Sequence, residues 1–395
     1  MFEIKGKYNK AIVHLENELF LDEMTTSQIY TILNCPAFEG LIPEDNIHIM
    51  PDCHAGIGAV IGFTFKLNKY IVPNVVGVDI GCGVLTLELS EEVNNINFNV
   101  LDNFIRNNIP SGFSVNSITQ LKKIKDVVEI NKHLEYDILE RIDFVSAKLK
   151  ETDLKRNRLS LGTLGGGNHF IEIGVDSKDT LFLTVHSGSR KFGLDIATHH
   201  QSIAKTNMKN KYKGADAFKQ LEWLNKKEMN EYLQDMRVAQ RYAQFNRWII
   251  ALKILDYLHS EVSFNIESIH NYIDFDDLII RKGAISSREN ELLVIPLNMK
   301  DGIIIGKGKG NKDWNFSAPH GAGRILSRKK AKLGLNLEEA LLDMKDAGIY
   351  TTSLNENSLD EAPGAYKSTN FILGAINDTI EVIDIIKPIY NFKAS

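Results

Sequence analysis

The chain of 395 residues has few cysteines, and no apolar run approaches the roughly 20 residues needed to span a bilayer. Its three cysteines, Cys35, Cys53 and Cys82, are too few for a disulfide framework in a chain of this length. Unpaired thiols of this kind are typical of reducing compartments. The initial sequence MFEIKGKYNK also has no signal-peptide pattern. We therefore predict a cytoplasmic protein without a membrane partner.

The sequence also lacks a strong overall charge, an interdomain linker and an internal repeat. Its 46 basic and 51 acidic residues give a net charge of −5, which argues against a surface that is basic throughout. A local excess occurs between Arg281 and Lys332, with twelve basic and four acidic residues. This basic stretch is either an ordinary solvated face or part of a phosphate-binding site. Because no Pro-, Gly- or Ser-rich segment divides the chain, residues 1–395 are predicted to form a single domain.

Short β-like runs and helical segments alternate along the chain. Runs rich in β-branched residues and bounded by Gly, Pro or Asn include AIVHL, NIHIMP, AVIGFTF, NVVGVDI and GVLTLEL. Apolar residues at three-to-four spacing predict helices near residues 118–150 and 195–259, and a shorter one near Leu337–Ala347. We expect an α+β fold with a central, mostly antiparallel β core and helices packed outside.

Residues of the metal-ligand type recur at the ends of these apolar runs. Asp79 and Cys82 lie in VVGVDIGCG, His169 in GGGNHFIEI, His186 in LFLTVHSGSR and His270 in IESIHNYI. One thiolate with three imidazoles and a carboxylate suits borderline-soft divalent ions such as Mn²⁺, Zn²⁺ or Co²⁺, whereas Mg²⁺ prefers oxygen ligands. The set predicts a metalloenzyme.

Each of these residues also has an ordinary structural interpretation. A lone cysteine near a strand is more often a small core residue than a ligand, and a lone histidine such as His186 is as often structural as functional. Asp79 favours the functional interpretation, because a carboxylate in an apolar sequence is costly to bury without a cation or hydrogen-bond donors. The histidines predicted to lie on the surface are His14, His48, His133, His199, His200 and His259. For His54, in MPDCHAGIG, a catalytic loop and a structural turn fit equally well.

A glycine run precedes the first of the candidate ligand histidines. In GTLGGGNHFIEI, Gly165 to Gly167 come before Asn168 and His169, so backbone amides can approach a phosphate with no Cβ in the way. A plain loop would explain the glycines alone equally well, but the Asn-His pair favours a nucleotide or metal site. Glu172 is three residues beyond His169 and would lie on the opposite face of a regular strand.

Two further segments carry groups suited to phosphate chemistry. Arg190 follows His186 in VHSGSR and can bind phosphate oxygens as a bidentate donor. His320, in SAPHGAGR, has electropositive surroundings and no carboxylate nearby in the sequence. A neutral imidazole in such a place can attack phosphorus and form a phosphoramidate. We therefore take His320 as the candidate nucleophile.

Taken in chain order, the motifs resemble those of the RtcB family of GTP-dependent RNA ligases from about Met50 to the C-terminus. They are PDCHAG, GVDIGCG, GGGNHFIE, VHSGSR, YLQDMRVAQRYAQFNR, IHN, RKGA, SAPHGAGR and EAPGAYK. The resemblance implies the family's α+β fold and a reaction that joins RNA 3′-phosphate or 2′,3′-cyclic phosphate ends to 5′-hydroxyl ends. It implies Mn²⁺ and GTP as cofactors, and a role in RNA repair or tRNA splicing. Because the chain is shorter than archaeal and animal members, we expect a bacterial paralogue.

The resemblance also implies roles for individual residues. Cys82 would bridge two Mn²⁺ ions, with Asp79 and His169 completing one and His186 and His270 the other. His320 would take GMP from GTP and pass it to the RNA 3′-phosphate. The implied GTP contacts are Asn168, His169, Phe170, Glu172, His270, Asn271, Pro296, Asn298, Ser317, His320, Gly321, Gly323, Tyr366 and Lys393. The implied RNA contacts are Asp52, His54, Arg190 and Arg324.

Some features depart from the family pattern or leave alternatives open. PLNMKDG lacks the family's Pro-Gly-Ser-Met, and no glycine follows Lys393. A two-metal phosphoesterase or cyclic phosphodiesterase could use the same cluster on RNA ends without a nucleotide. A third interpretation, a non-catalytic RNA-binding accessory protein, is supported only by the basic stretch. The sequence also leaves open whether an archaease-type activator takes part.

Overall fold

The computed structural model describes residues 1–40, 46–90, 96–120, 138–149, 153–211 and 215–394. Two large sheets lie at its centre, one of six strands in the order β1-β2-β3-β4-β10-β9 and one of seven in the order β12-β13-β15-β6-β7-β5-β8. Strands β11 and β14 form a separate pair. Every strand pairing is antiparallel except that of β2 with β3. The α+β expectation is confirmed.

The strands have the following bounds. They are β1 Phe2–Lys5, β2 Lys10–Val13, β3 Ile47–His54, β4 Ile61–Lys66, β5 Gly83–Leu89, β6 Phe170–Val175, β7 Leu181–Ser187, β8 Val262–Ile269, β9 Asn271–Ile273, β10 Ile279–Lys282, β11 Ala284–Ser286, β12 Leu292–Asn298, β13 Gly302–Gly308, β14 Ser317–Pro319 and β15 Ile380–Lys393. The central strands β5, β6 and β7 are buried along nearly their whole length, as their continuous apolar sequences predict.

The α-helices of the described residues flank these sheets. They are α1 Glu23–Leu33, α2 Phe98–Asn108, α3 Ile138–Lys148, α4 Leu154–Leu159, α5 Arg190–Lys211, α6 Lys226–Leu258, α7 Arg328–Gly334, α8 Leu337–Asp346 and α9 Thr369–Ala375. Side-chain caps begin several of them; the carboxylate of Asp22 accepts from Thr25 N at the start of α1, for example. None of the described helices combines the length and apolar character that a membrane span requires.

The helix predictions are confirmed in outline and corrected in detail. The described parts of the predicted 118–150 helix are helical residues 118–120 and α3, and residues 121–137 lie outside the described residues. The predicted helical region 195–259 is confirmed and consists of two helices, α5 and α6. Helix α6 ends where His259 adopts a left-handed conformation with φ of 55°, and it buries Tyr232, Met236 and Ala239 in the main core.

One predicted strand and three predicted surface histidines were wrong. NVVGVDI forms a 3-10 turn at Pro73–Val75 and an irregular loop, because Gly77 takes a φ of +93° that no extended strand uses. His14 and His48 are buried and lie 3.1 Å apart through Nε2 and Nδ1. His200 is also buried, and its Nε2 forms a hydrogen bond with the Asp235 carboxylate at 3.0 Å.

Among the other predicted surface histidines, His259 is exposed, as expected, and His199 is half-buried. His133 lies outside the described residues. Local sequence could not separate these cases, because the partners that bury His14 and His200 lie 34 and 35 residues away.

Candidate metal and nucleotide site

The candidate metal ligands meet at one edge of the seven-stranded sheet. Strand β5 starts at this edge, and its two neighbours β7 and β8 end there, because Gly83 pairs with both Ser187 and Ile269. Strand β6 starts there too, with Phe170 opposite His186. Antiparallel strands thereby bring Cys82 and His270 together from positions far apart in the sequence.

The metal cluster consists of Asp79, Cys82, His169, His186 and His270. The Sγ atom of Cys82 lies 3.4 Å from Nε2 of His169 and 3.3 Å from Nε2 of His186. Oδ2 of Asp79 lies 3.0 Å from Nε2 of His169, and Nε2 of His270 lies 3.4 Å from Nε2 of His186. All five predicted ligands are therefore in one continuous group of facing donor atoms, of which Cys82, His169 and His186 are the most compact.

Backbone carbonyls fix which ring nitrogen of two histidines faces the cluster. Nδ1 of His169 donates to the carbonyl of Leu164 at 2.9 Å, and Nδ1 of His186 donates to that of Asn168 at 3.1 Å. With the proton held on Nδ1, the Nε2 lone pair of each ring faces the Cys82 sulfur. This arrangement is typical of histidines that bind a metal, whose second nitrogen is held by an outer partner.

The protonation states agree with a site built for a cation. Burial lowers the pKa of His186 and His270 well below the usual range, and neighbouring histidines add to the effect. Burial alone would raise the pKa of Asp79, but the neighbouring His169 and the charge of Arg190 lower it to about 2. Burial and the Asp79 carboxylate raise the pKa of the Cys82 thiol. A divalent cation would supply the positive charge that a thiolate needs here.

Helix α6 braces the loops that carry these ligands. The guanidinium of Arg247, which is fully buried, donates through Nη1 to the carbonyls of Gly81 at 2.7 Å and Ser187 at 2.8 Å. These two carbonyls belong to the neighbours of Cys82 and His186. Nε of Arg247 bonds to Glu267 at 2.8 Å, which neutralises the buried charge.

His320, the candidate nucleophile, lies beside the metal cluster on a different part of the fold. It follows β14, and its ring centroid is 4.9 Å from that of His270. Its Nδ1 lies 2.7 Å from Oδ2 of Asp52, a carboxylate that is completely buried. A side chain at Gly323 would collide with the backbone of Asp52, and the φ of +71° at this glycine turns the SAPHGAGR loop over β3. Nε2 of His320 is thereby left free for reaction.

A cavity of about 300 Å³ joins His320 to the metal cluster. Twelve of the fourteen predicted GTP contacts line it, together with two of the four predicted RNA contacts. Those lining it are Asn168, Phe170, Glu172, His270, Asn271, Pro296, Asn298, His320, Gly321, Gly323, Tyr366 and Lys393, and His54 and Arg324. Glu172 reaches the cavity from β6 despite the expectation from a regular strand, so that simple face argument was wrong.

Four predicted contacts do not line the cavity. Ser317 is fully buried and accepts a hydrogen bond from Nε of Arg281 at 2.8 Å, which places it behind the loop. Asp52 has no exposed surface, and its carboxylate contacts His320, the candidate nucleophile; a contact of Asp52 with RNA stays a prediction. His169 belongs to the metal cluster. Arg190 lies beside the glycine run and donates to Thr163 and Gly112.

The far wall of the cavity carries an ion-pair cluster that sequence reasoning missed in part. We define it as Arg324, Arg328, Asp360, Glu361, Tyr366 and Lys393. Glu361, which is 2% exposed, accepts from Arg328 at 2.6 Å, from Arg324 at 3.3 Å and from the Tyr366 hydroxyl at 2.5 Å. Nζ of Lys393 is 3.9 Å from Glu361 and 4.6 Å from the ring centroid of Phe170.

Glu361 could have been identified from the sequence, because it is the first residue of the EAPGAYK motif, from which only Tyr366 was assigned a role.

The interpretation of the basic stretch from Arg281 to Lys332 is corrected as well. Arg281 and Lys282 are buried, and Arg324 and Arg328 pair with acids, so the stretch does not form one continuous basic face.

Comparisons with known proteins agree on one family. A family model described as tRNA-splicing ligase RtcB matches residues 41–394. The chain is similar to the RNA-splicing ligase RtcB of Escherichia coli K12, with 29% identity over 88% of this chain and 90% of that protein. It is also similar to the tRNA-splicing ligase RtcB of Nanoarchaeum equitans, with 28% identity over 82% and 83% of the two chains.

Proposed function

Since the chain belongs to the RtcB family of RNA-splicing ligases, we propose that it joins RNA 3′-phosphate or 2′,3′-cyclic phosphate ends to 5′-hydroxyl ends with GTP. The observation that carries this proposal is the position of His320. Its Nδ1 is held by Asp52 while its ring lies 4.9 Å from that of a metal ligand, inside the cavity that the predicted GTP contacts line. Nε2 is therefore available to attack a phosphate bound between the two clusters.

The metal cluster would hold Mn²⁺. In order of contact, the residues that would hold the ions are Asp79, His169, Cys82, His186 and His270. Bound ions would offset the negative charge that develops on phosphate oxygens. Cysteine and histidine donors also accept Zn²⁺, so a supply of Mn²⁺ in the cell would decide which ion is present.

The proposed reaction uses His320 twice. Its Nε2 attacks the α-phosphorus of GTP, a bond to GMP forms and pyrophosphate leaves. The RNA 3′-phosphate, which a 2′,3′-cyclic end would first yield when water adds and the P–O2′ bond breaks, then takes the GMP from His320. This transfer restores the free imidazole and activates the RNA end. The 5′-hydroxyl attacks the activated phosphate, GMP leaves and the strands are joined. Asp52 keeps the proton on Nδ1 in the free imidazole and stabilises the positive charge of the ring when Nε2 is bonded to phosphorus.

The guanine base would occupy the end of the cavity near Glu172 and Lys393. Burial raises the pKa of Glu172 to about 8, although Asn391 and Lys393 act in the opposite direction. Asn391 bonds to Oε2 of Glu172 at 2.6 Å, while Oε1 has no partner among the described residues. This free buried oxygen is suited to the N–H groups of a purine. RNA would approach over His54, Arg190 and Arg324.

We place the reaction in the cytoplasm, because all three cysteines are unpaired and Cys82 must stay reduced to bind a metal. An archaease-type activator would act by promoting transfer of GMP to His320. Measuring GMP transfer to His320 with and without such a protein would show whether the activator is required.

The test of the proposed function is a joining assay on a radiolabelled RNA that carries a 5′-hydroxyl and a 3′-phosphate. We expect a circular product that requires both GTP and Mn²⁺. An otherwise identical RNA with a 5′-phosphate and a 3′-hydroxyl should stay linear. Release of inorganic phosphate without GTP, and without joining, would contradict the ligase proposal and favour the phosphoesterase.

A further inference from the structure

Phe113 is the most exposed large apolar side chain among the described residues. It is 94% exposed, in the loop between α2 and the partly described segment that leads to α3. A phenylalanine side chain left in water lacks the stabilisation of about 1.5–3 kcal/mol that full burial would give. The loop that carries Phe113 is nevertheless held by several hydrogen bonds.

Hydrogen bonds fix the backbone at the ring itself. Gly112 N donates to the carbonyl of Gly165 at 2.6 Å, and the Gly112 carbonyl accepts from Nη2 of Arg190 at 2.9 Å. The carbonyl of Phe113 accepts from Nη2 of Arg156 at 2.7 Å. Both peptide groups that flank the Phe113 ring are thus anchored.

The far end of the loop is anchored through Asn116. This side chain is buried and donates to the carbonyls of Leu159 at 3.2 Å and Leu161 at 2.5 Å. Nζ of Lys253 on α6 contacts the Asn116 side chain at 3.3 Å and the carbonyl of Asn108 at 3.1 Å. The loop therefore presents Phe113 on a fixed base.

This loop lies directly beside the proposed active site. Gly165, its backbone partner, is so close to His169 and Arg190 that a side chain at this position would collide with both. Gly112 bonds to Gly165, and the preceding residue Leu164 accepts from Nδ1 of the candidate ligand His169 at 2.9 Å, so the Phe113 loop adjoins the metal cluster.

The guanidinium groups that bond to the Phe113 loop are those of Arg156 and Arg190. Neither forms an ion pair with a carboxylate within 4 Å in the part of the chain that the structure describes, whereas their neighbour Arg158 pairs with Asp143. An exposed ring beside two arginines matches single-stranded nucleic acid, whose bases stack on aromatic rings while its phosphates contact arginine.

We propose that Phe113 is a stacking platform for an unpaired RNA base next to the ends that are joined. Arg156 and Arg190 hold the phosphates on either side of that base. The platform rests on the proposed ligase function and adds to it a contact that positions the RNA end over the glycine run.

The test compares Phe113→Ala, Phe113→Leu and Phe113→Tyr in the joining assay and in transfer of GMP to the enzyme. Phe144→Ala is the matched control, because Phe144 is 67% exposed on α3 and has Lys148 over its ring. In addition, RNAs with 5-iodouridine at successive positions from each end are irradiated with the wild-type protein, and the crosslinked residue is identified by mass spectrometry.

We expect KM for RNA to rise between about fivefold and about a hundredfold in the alanine variant, and nearly as much in the leucine variant. The tyrosine and Phe144 variants should match the wild type, and one nucleotide near an end should crosslink to Phe113. GMP transfer should be unchanged in all of them.

An unchanged KM in Phe113→Ala, or equal activity of the leucine and tyrosine variants, would overturn the platform while the ligase function stands. Absence of both GMP transfer and joining in the wild type would instead contradict the proposed function itself. Reduced joining by Phe113→Ala with normal RNA binding and no crosslink would assign the ring to a protein contact, and would also overturn the platform.

Discussion

The two walls of the cavity handle buried charge in opposite ways. In the metal cluster, one thiol, one carboxylate and three imidazoles face each other, and backbone carbonyls hold two of the rings with lone pairs inward. In the ion-pair cluster, Glu361 and Asp360 already neutralise Arg324 and Arg328. The first wall offers ligand atoms that a cation could bind, whereas the second has its own countercharges.

This difference indicates separate tasks for the two walls. A preformed set of lone pairs binds a metal without rearrangement, because outer partners fix the ligands in advance. A closed ion-pair network binds an anion only by exchanging partners, so a nucleotide bound there, as proposed, would have to compete with Glu361 for Arg324 and Arg328. Perturbing each wall in turn should therefore give distinct signatures.

The largest effect is expected from Cys82→Ala, which removes the donor shared by both sides of the metal cluster. Activity should be abolished, and the near-ultraviolet absorption of a cobalt–thiolate complex should disappear. Cys35→Ala is the matched control, since Cys35 is equally buried and is not part of the metal cluster. A Cys82→Ala protein with the same cobalt absorption as the wild type would contradict the assignment.

Asp52→Asn should give the next largest effect, because it perturbs His320 without touching either wall. The amide can hold the wrong ring tautomer, so GMP transfer should slow by about a hundredfold to ten-thousandfold. Cobalt absorption should be unchanged. Asp343→Asn, on the exposed α8, serves as the control. Rates within a few-fold of the wild type would exclude Asp52 as the partner that orients His320.

Glu361→Gln tests the ion-pair cluster. It leaves three basic side chains without their main buried countercharge, so the free energy of unfolding should fall by about 3 kcal/mol. The loss should be the same with and without Mn²⁺, since the metal cluster is intact. Urea unfolding measures it, and Glu338→Gln on the exposed face of α8 is the control. A loss that Mn²⁺ reverses would mean that the two walls are coupled.

The smallest effect concerns the pH dependence of stability through Glu172. Burial raises its folded pKa to about 8 from the ordinary 4.5, so between these values the folded protein keeps a proton that the unfolded chain has released. Stability is therefore lost as the pH rises through this window.

Relative to Glu172→Gln, the wild type should lose stability between pH 5 and pH 8, because only the wild type must give up this proton in the folded state. Urea unfolding at several pH values measures the difference. Parallel stability curves for the two proteins would show that Glu172 is not protonated in the folded state.

Much of the candidate site could be predicted from the sequence, because its residues lie at the ends of strands. Cys82, His169, His186 and His270 each flank an apolar run, and antiparallel pairing makes such ends meet. The failures came from partners distant in sequence. Asp52 lies 268 residues from His320, and no local pattern relates them.

Local geometry caused the other errors in the fold. The apolar residues of NVVGVDI suggest a strand, but Pro73 and the positive φ of Gly77 turn that segment into the loop that presents Asp79. Histidines on helices and strands were assigned to the surface because burial depends on tertiary neighbours, as His200 with Asp235 illustrates.

The most direct test of the account is transfer of label from α-³²P-GTP to the protein, followed by denaturing electrophoresis. We predict a label that withstands denaturation in the wild type and in His259→Ala, whose histidine is exposed and distant from the cavity, and that is absent from His320→Ala. A label that persists in His320→Ala, or one that acid treatment fails to release as expected for a phosphoramidate, would contradict His320 as the nucleophile.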